Sequence, residues 1–396
     1  MAAKPIAASL GIYIQVPFCQ AKCTYCNFAT GVFPATIHLP YVDAVCREIG
    51  WHRELYRKSG IERWQAAPPA FTVDTVYIGG GTPSLLDPAL LAQLVAAVRQ
   101  HFPCALEEIT LEADPETITA EKAAAWREAG FNRISLGAQS FADAELRAAG
   151  RRHRRADIFA AAERLRAAGL ANLSFDLIAG LAHQTPESWR ASLDELAGLR
   201  PSHASIYLLE LDEGSRLGRE SLGGGRRYGV PALPDDDAVA AFYESACAAL
   251  ARRGYDHYEI SNWALPGFRS RHNLKYWRRQ PYLGFGAGAH SFDGAERWAN
   301  AHDPAAYLRA LGERCLALDV HERIGLEQAL EEELFLGLRQ LDGIELAAIE
   351  RRYSVSLDER VRPLVADGLL EQRDGNLRLA PARVAVSNEV FVRLLA

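Results

Sequence analysis

Long apolar runs are missing from this 396-residue chain, and with them any stretch able to cross a bilayer as a helix; only peripheral membrane contact is left open. An excess of basic charge is missing too. Lys and Arg number 44 against 50 Asp and Glu, a net charge of −6, which argues against a dedicated nucleic-acid binder. No internal repeat is present. The N-terminal run MAAKPIAASLGIYIQV has no convincing cleavage site and reads as the lead-in to a first strand rather than a signal peptide. Cysteine is scarce, with seven in the chain, and most are scattered singly. That usage fits a reducing compartment, so a cytoplasmic location is expected. The length exceeds what one ordinary core holds, so a large domain with a smaller companion is the natural prior.

Three of the seven cysteines are not scattered. Cys19, Cys23 and Cys26 crowd into the run PFCQAKCTYCNF, with the spacing C-x3-C-x2-C, directly after the β-type run Ile12 to Val16. Three thiolates from one loop can hold three corners of a 4Fe-4S cube, whereas full protein ligation takes four. An iron left without a protein ligand is an open coordination position, the mark of a reactive rather than a structural site. A zinc site would want a fourth ligand at metal-type spacing, and only His38 and Cys46 lie within reach downstream. A thioredoxin-like pair would use Cys23 and Cys26 and leave Cys19 idle. Cys104, Cys247 and Cys315 read as small buried hydrophobes.

The first half alternates β-type runs with helical patterns, the sequence sign of β/α units around a parallel sheet. Strands are expected at Ile12–Val16, Val73–Ile78, Glu108–Glu112, Arg133–Leu136, Leu173–Ile178 and Ala204–Leu208. Alanine-rich helices fall between them, at Ala89–Gln100, Ala120–Ala129, Ala156–Ala168 and Pro186–Gly198. Six units are too few for a closed eight-stranded barrel. The fold class is therefore α/β, a partial (β/α)6 barrel with its chemistry at the C-terminal strand ends. From about Glu327 short helices precede a hairpin marked by Asp374-Gly375, which suggests a winged-helix-like α+β module. The expected division is 1–222 for the partial barrel, 223–322 for an extension, and 323–396 for the C-terminal module, with an interaction or lid role.

The cysteine spacing resembles that of the radical S-adenosylmethionine (SAM) superfamily, and the resemblance covers nearly the whole chain. It implies a partial barrel carrying a 4Fe-4S cluster on Cys19, Cys23 and Cys26, with the amino and carboxylate groups of SAM on the open iron. Gly80, Gly81 and Thr82, in Gly79-Gly80-Gly81-Thr82-Pro83, match the segment that takes the methionine amino group; alone, GGGTP could be an ordinary tight turn. Glu112 in LEADP, Gln139 in SLGAQSF, Arg151 in RRHRR and Asp176 in SFDLIAGL follow at successive strand ends, with Tyr13 on the first strand. Singly these could be capping or ion-paired groups. Together they offer what a ligand with an ammonium, a carboxylate, hydroxyls and a sulfonium requires, and arginine's fork suits the carboxylate.

The runs YIQVPFC, GGGTPSLL, LEADPET, SLGAQSF and YEISNWA narrow the resemblance to the coproporphyrinogen III dehydrogenase-like branch. Within it, the dehydrogenase carries a longer N-terminal extension and a fourth cysteine two residues past the third. Here eighteen residues precede Cys19 and the fourth-cysteine position is Phe28. Both departures point to the HemW heme chaperone family, whose mark is the HN-x-x-YW run His272-Asn273-Leu274-Lys275-Tyr276-Trp277. The resemblance implies heme as a third cofactor, passed to an unidentified heme-acceptor protein, rather than decarboxylation of coproporphyrinogen III. His272 is the expected heme contact, with His290 in GAHS as the fallback; an isolated histidine would more often cap a helix or fill a polar core position. The GxGxG of Gly284–Gly288 lacks a dinucleotide loop's context and is expected beside the adenine of SAM.

Overall fold

A computed structural model describes residues 8–65 and 71–395. The six expected parallel strands are all present, each slightly longer than its apolar run: β1 (Ala8–Val16), β2 (Phe71–Gly80), β3 (Cys104–Ala113), β4 (Arg133–Gln139), β5 (Leu173–Ala179) and β6 (His203–Leu208). They lie side by side in chain order, each joined to the next by helices. The chain then adds β7 (Asp256–Glu259), β8 (Asn262–Ala264), β9 (Tyr282–Phe285), β10 (His290–Phe292), β11 (Glu296–Asn300) and β12 (Leu318–Arg323). These short strands join the edges of the same sheet, which runs β12-β11-β10-β9-β1-β2-β3-β4-β5-β6-β8-β7 among the described residues.

Alternation along β1 shows how the sheet sorts its faces. Leu10, Ile12, Ile14 and Val16 are fully buried in the main core. Gly11, Tyr13 and Gln15 turn to the concave side, since successive side chains of a strand point to opposite faces. The neighbouring strands repeat the pattern, with Val76 and Ile78 in the core and Thr75 and Tyr77 on the Tyr13 face, in register with β1. Strands buried on both faces read as apolar runs, but here the concave face is polar and aromatic.

The concave face is plugged from below by the short helix Arg271–Trp277, which carries the HN-x-x-YW run. Glu108 accepts hydrogen bonds from the backbone N–H groups of Arg271 and His272, both at 3.0 Å, satisfying the free donors of the helix start. Lys275, almost fully buried, pairs with Asp74 at 2.8 Å and also meets Ser9, fixing the helix to the lower ends of β1 and β2.

The C-terminal segment forms helices Leu326–Leu338, Leu346–Tyr353 and Asp358–Ala366, then the hairpin β13 (Leu370–Arg373) and β14 (Asn376–Leu379), then helix Ser387–Leu395. Asp374 and Gly375 at the hairpin tip have φ of 53° and 84°, the left-handed pair that a two-residue hairpin turn demands. Among the described residues, no helix is long and apolar enough to cross a membrane.

Candidate functional site

The three cysteines sit at the upper end of the sheet, in the loop that leaves β1. All are free and partly buried. The loop is tied down at both ends: Cys19 N–H donates to the Gly31 carbonyl at 2.9 Å and Thr24 N–H to the Ala149 carbonyl at 3.0 Å. Burial pushes the Cys19 thiol above its usual range, against hydrogen bonds from Thr30 and Thr82. Among the described residues, no three His, Cys, Asp or Glu side chains gather as one metal ion would require. A 4Fe-4S cube asks for something different, because its thiolates end on separate irons at separate corners.

The GGGTP turn is stitched to this loop. Gly81 N–H donates to the Val16 carbonyl at 2.8 Å and Thr82 N–H to the Phe18 carbonyl at 2.7 Å. A Cβ on Gly81 would stand 2.6 Å from the Phe18 oxygen and 2.9 Å from the Cys19 sulfur, so no larger residue fits without moving the cysteine. Gly80 has a φ of +115°, a conformation that glycine alone adopts freely. Its N–H donates at 2.9 Å to Glu112, whose other oxygen accepts from the Tyr77 hydroxyl at 2.8 Å.

The remaining residues expected from the sequence line the same concave face. Tyr13 stacks against Tyr77 at 6.0 Å and donates to Gln15 at 2.6 Å. Gln139 closes β4 with a φ of +66°, a left-handed conformation that side chains rarely adopt and that costs roughly 1–3 kcal/mol. Its amide, the Arg151 guanidinium and the Asp114 carboxylate all lie within 3.2 Å of where a Cβ on Gly137 would be. Asp176 accepts from Ser135 at 3.2 Å. Burial lifts Glu112 to about 7 and Asp176 to about 6, so both acids hold protons more tightly than free carboxylates do.

Asp114 escaped the sequence reading. It pairs with Arg151 and accepts from the Thr82 hydroxyl at 3.2 Å. The signal was present in LEADP, where Asp114 stands two residues past Glu112 and so on the same face. Arg151 also donates to the Gly137 carbonyl at 2.9 Å, and its Nε is buried without a partner among the described residues. Acids, an amide, a guanidinium and half-buried glycine backbone thus converge beside the cysteine loop, a donor and acceptor set that fits SAM and a cluster.

His272 stands elsewhere. It is buried at the barrel floor, with Nδ1 2.9 Å from the Thr75 hydroxyl and Nε2 2.9 Å from the Tyr276 hydroxyl. Burial, reinforced by the Lys275 cation, lowers it to about 3, so the ring is neutral. Both nitrogens are engaged inside the protein. As placed, both ring nitrogens of His272 face hydroxyl partners in the barrel floor rather than an open surface. His290 is exposed on β10. The Gly284–Gly288 run packs on the end of β1, where Gly286 N–H donates to Glu48 at 2.9 Å.

Comparison with known proteins places this arrangement. Residues 13–196 match the radical SAM superfamily, and residues 324–382 match the HemN C-terminal domain. The chain is 36% identical to the heme chaperone HemW of Mycobacterium tuberculosis over 97% of its own length and 94% of that protein. It is 32% identical to the protein of the same name from Lactococcus lactis, over 97% and 96%. Among solved structures, the coproporphyrinogen III oxidase HemN of Escherichia coli, a radical SAM enzyme, superposes with a TM-score of 0.82 at 23% identity, covering 98% of this chain and 90% of that one. That likeness establishes a shared fold.

Proposed function

Since the chain belongs to the HemW family of the radical SAM superfamily, we propose that it is a heme chaperone, binding heme and passing it to an acceptor protein in the cytoplasm. The observation that carries the reading is the union of a three-cysteine loop with near full-length similarity to proteins named for that role. Cys19, Cys23 and Cys26 would hold a 4Fe-4S cluster. Tyr13, Gly80, Gly81, Thr82, Glu112, Gln139, Arg151 and Asp176, with Asp114 added, would hold SAM. A reduced cluster of this kind can supply an electron to the sulfonium of SAM. What the protein's own groups do is bind and orient: Gly80 and Gly81 leave room for the methionine end, Glu112 and Asp176 accept hydrogen bonds, and Arg151 offers a cation. Residues 323–396 are proposed as the module that meets the partner.

The alternative is oxidative decarboxylation of coproporphyrinogen III, which the shared fold alone would allow. Phe28 argues against it. It occupies the position of that enzyme's fourth cysteine and points a phenyl ring, 66% exposed, into solvent. Anaerobic reconstitution with iron and sulfide, followed by separate hemin titration and coproporphyrinogen turnover assays, divides the two. Heme binding without turnover supports the chaperone; turnover without heme binding overturns it.

A further inference from the structure

The concave face that carries Tyr13 does not stop at β1. Gly11 stands opposite Tyr282 of β9, Tyr282 opposite Phe292 of β10, and Phe292 opposite Arg297 of β11. Two residues along, His290, Ala299 and Val320 form a row across β10, β11 and β12 on that same face. The imidazole of His290 is exposed, and Val320 beside this row is 44% exposed.

A second histidine and the cysteine loop meet at this edge. A Cβ on Gly288 would lie 3.2 Å from Nδ1 of His302 and 3.3 Å from the Ala29 Cβ, so both segments come close to the same point. His302 Nε2 is 3.7 Å from Asp319, a carboxylate able to orient the ring. Next to Ala29 in the loop, Phe28 and Val32 expose 66% and 64% of their surfaces. Exposed large apolar side chains such as these can cover the apolar face of a ligand.

We propose that this edge is the heme-docking site, with His290 as the axial ligand to iron, His302 beside it, and Phe28, Val32 and Val320 against the macrocycle. The inference rests on the heme-chaperone reading and gives it a place. The ligand chemistry favours heme over a bare ion. A single metal ion needs a group of three or four side chains, and none gathers here among the described residues. Heme brings four in-plane nitrogens of its own, so one or two imidazoles suffice. An open edge also suits a carrier, because a partner can approach the exposed face of the porphyrin without prior unfolding.

The test is hemin titration of the full, cluster-loaded protein, read by absorption spectrum. His290→Ala should change the heme spectrum and weaken binding roughly 10- to 100-fold, the usual cost of damage around a metal. Added free imidazole should restore the wild-type spectrum in His290→Ala, which a merely structural histidine would not allow. His302→Ala should weaken binding less, and iron and sulfide content should stay at the wild-type level in both variants. Wild-type spectra and affinity in both variants would overturn the site while leaving the heme reading intact. A wild-type protein that bound no hemin would overturn the heme reading, and the site with it.

Discussion

The guanidinium of Arg151 touches the cysteine loop: Nη1 donates to the sulfur of Cys23 at 3.4 Å, while Nη2 meets Asp114 and the Gly137 carbonyl at the end of β4. A donor to a cluster sulfur is one of the levers on cluster potential. The same side chain thus ties the cysteine loop to the concave face at the end of β4.

Replacing it should show in both places. Arg151→Ala should weaken SAM binding by about 1.5–3 kcal/mol, the worth of a charge-assisted hydrogen bond. It should also shift the reduction potential of the reconstituted cluster. Arg151→Lys keeps the charge but loses the fork, and should recover SAM affinity only in part. Equilibrium SAM binding and redox titration read the two effects; an unchanged SAM affinity in Arg151→Ala would take the residue out of that site.

Gly81 should prove more damaging to alter than a cofactor contact alone would be. Valine there must displace the Phe18 carbonyl or the Cys19 sulfur, 2.6 and 2.9 Å from its Cβ. Gly81→Val is therefore expected to lose cluster iron as well as SAM binding, measured as iron and sulfide per chain after anaerobic reconstitution. Full iron loading in this variant would show that the turn and the loop move independently.

Glu48 provides a pH test remote from the cysteines. It is buried, accepting from Tyr307 at 2.6 Å, Asn300 at 2.7 Å and Gly286 N–H at 2.9 Å, and among the described residues no cation pairs with it. Burial raises it to about 7 from 4.5. The folded state therefore binds the proton more tightly than the unfolded chain. The group's contribution to stability is complete below about 4.5 and is lost as the pH rises toward and through about 7. A shift of this size corresponds to roughly 3 kcal/mol. Thermal unfolding followed from pH 5 to 8 should show this loss, and Glu48→Gln should flatten it; an identical slope in the variant would refute the assignment.

Much of this was legible in the sequence, and the parts that were not have identifiable causes. The six parallel strands announced themselves because their core-facing side chains, such as Leu10, Ile12 and Ile14, are apolar and fully buried. The strands β7 to β12 are only three to six residues long, and some, as in Glu296–Asn300, mix charged residues with apolar ones, so no period could accumulate. With them went the knowledge that the extension completes the sheet. Gln139, Glu112 and Arg151 were implied by the family resemblance, each lying in a run that matches it. Their partner Asp114 was not, because an acid before a proline looks like a turn residue until the strand's face is known. The HN-x-x-YW run shows a limit of another kind: a motif marks a histidine, but not which partners its nitrogens meet in the fold.

His272→Ala separates a barrel-floor role for this ring from a heme contact. Removing the ring leaves the Thr75 and Tyr276 hydroxyls unpartnered in a buried site and opens a hole under Tyr77, whose ring centre lies 5.2 Å away. Lost packing and unsatisfied polar groups together cost about 2–4 kcal/mol. The melting temperature should therefore fall. The protein that remains folded should bind hemin with the wild-type spectrum, in contrast to His290→Ala. The wild-type ring, held neutral with its value lowered to about 3, adds a pH signature. The unfolded chain takes up the proton first, so stability should decline as the pH falls from about 6.5 toward 3, and His272→Ala should lose that component. A variant with unchanged melting temperature and altered heme absorption would restore His272 to the heme and remove it from the floor of the barrel.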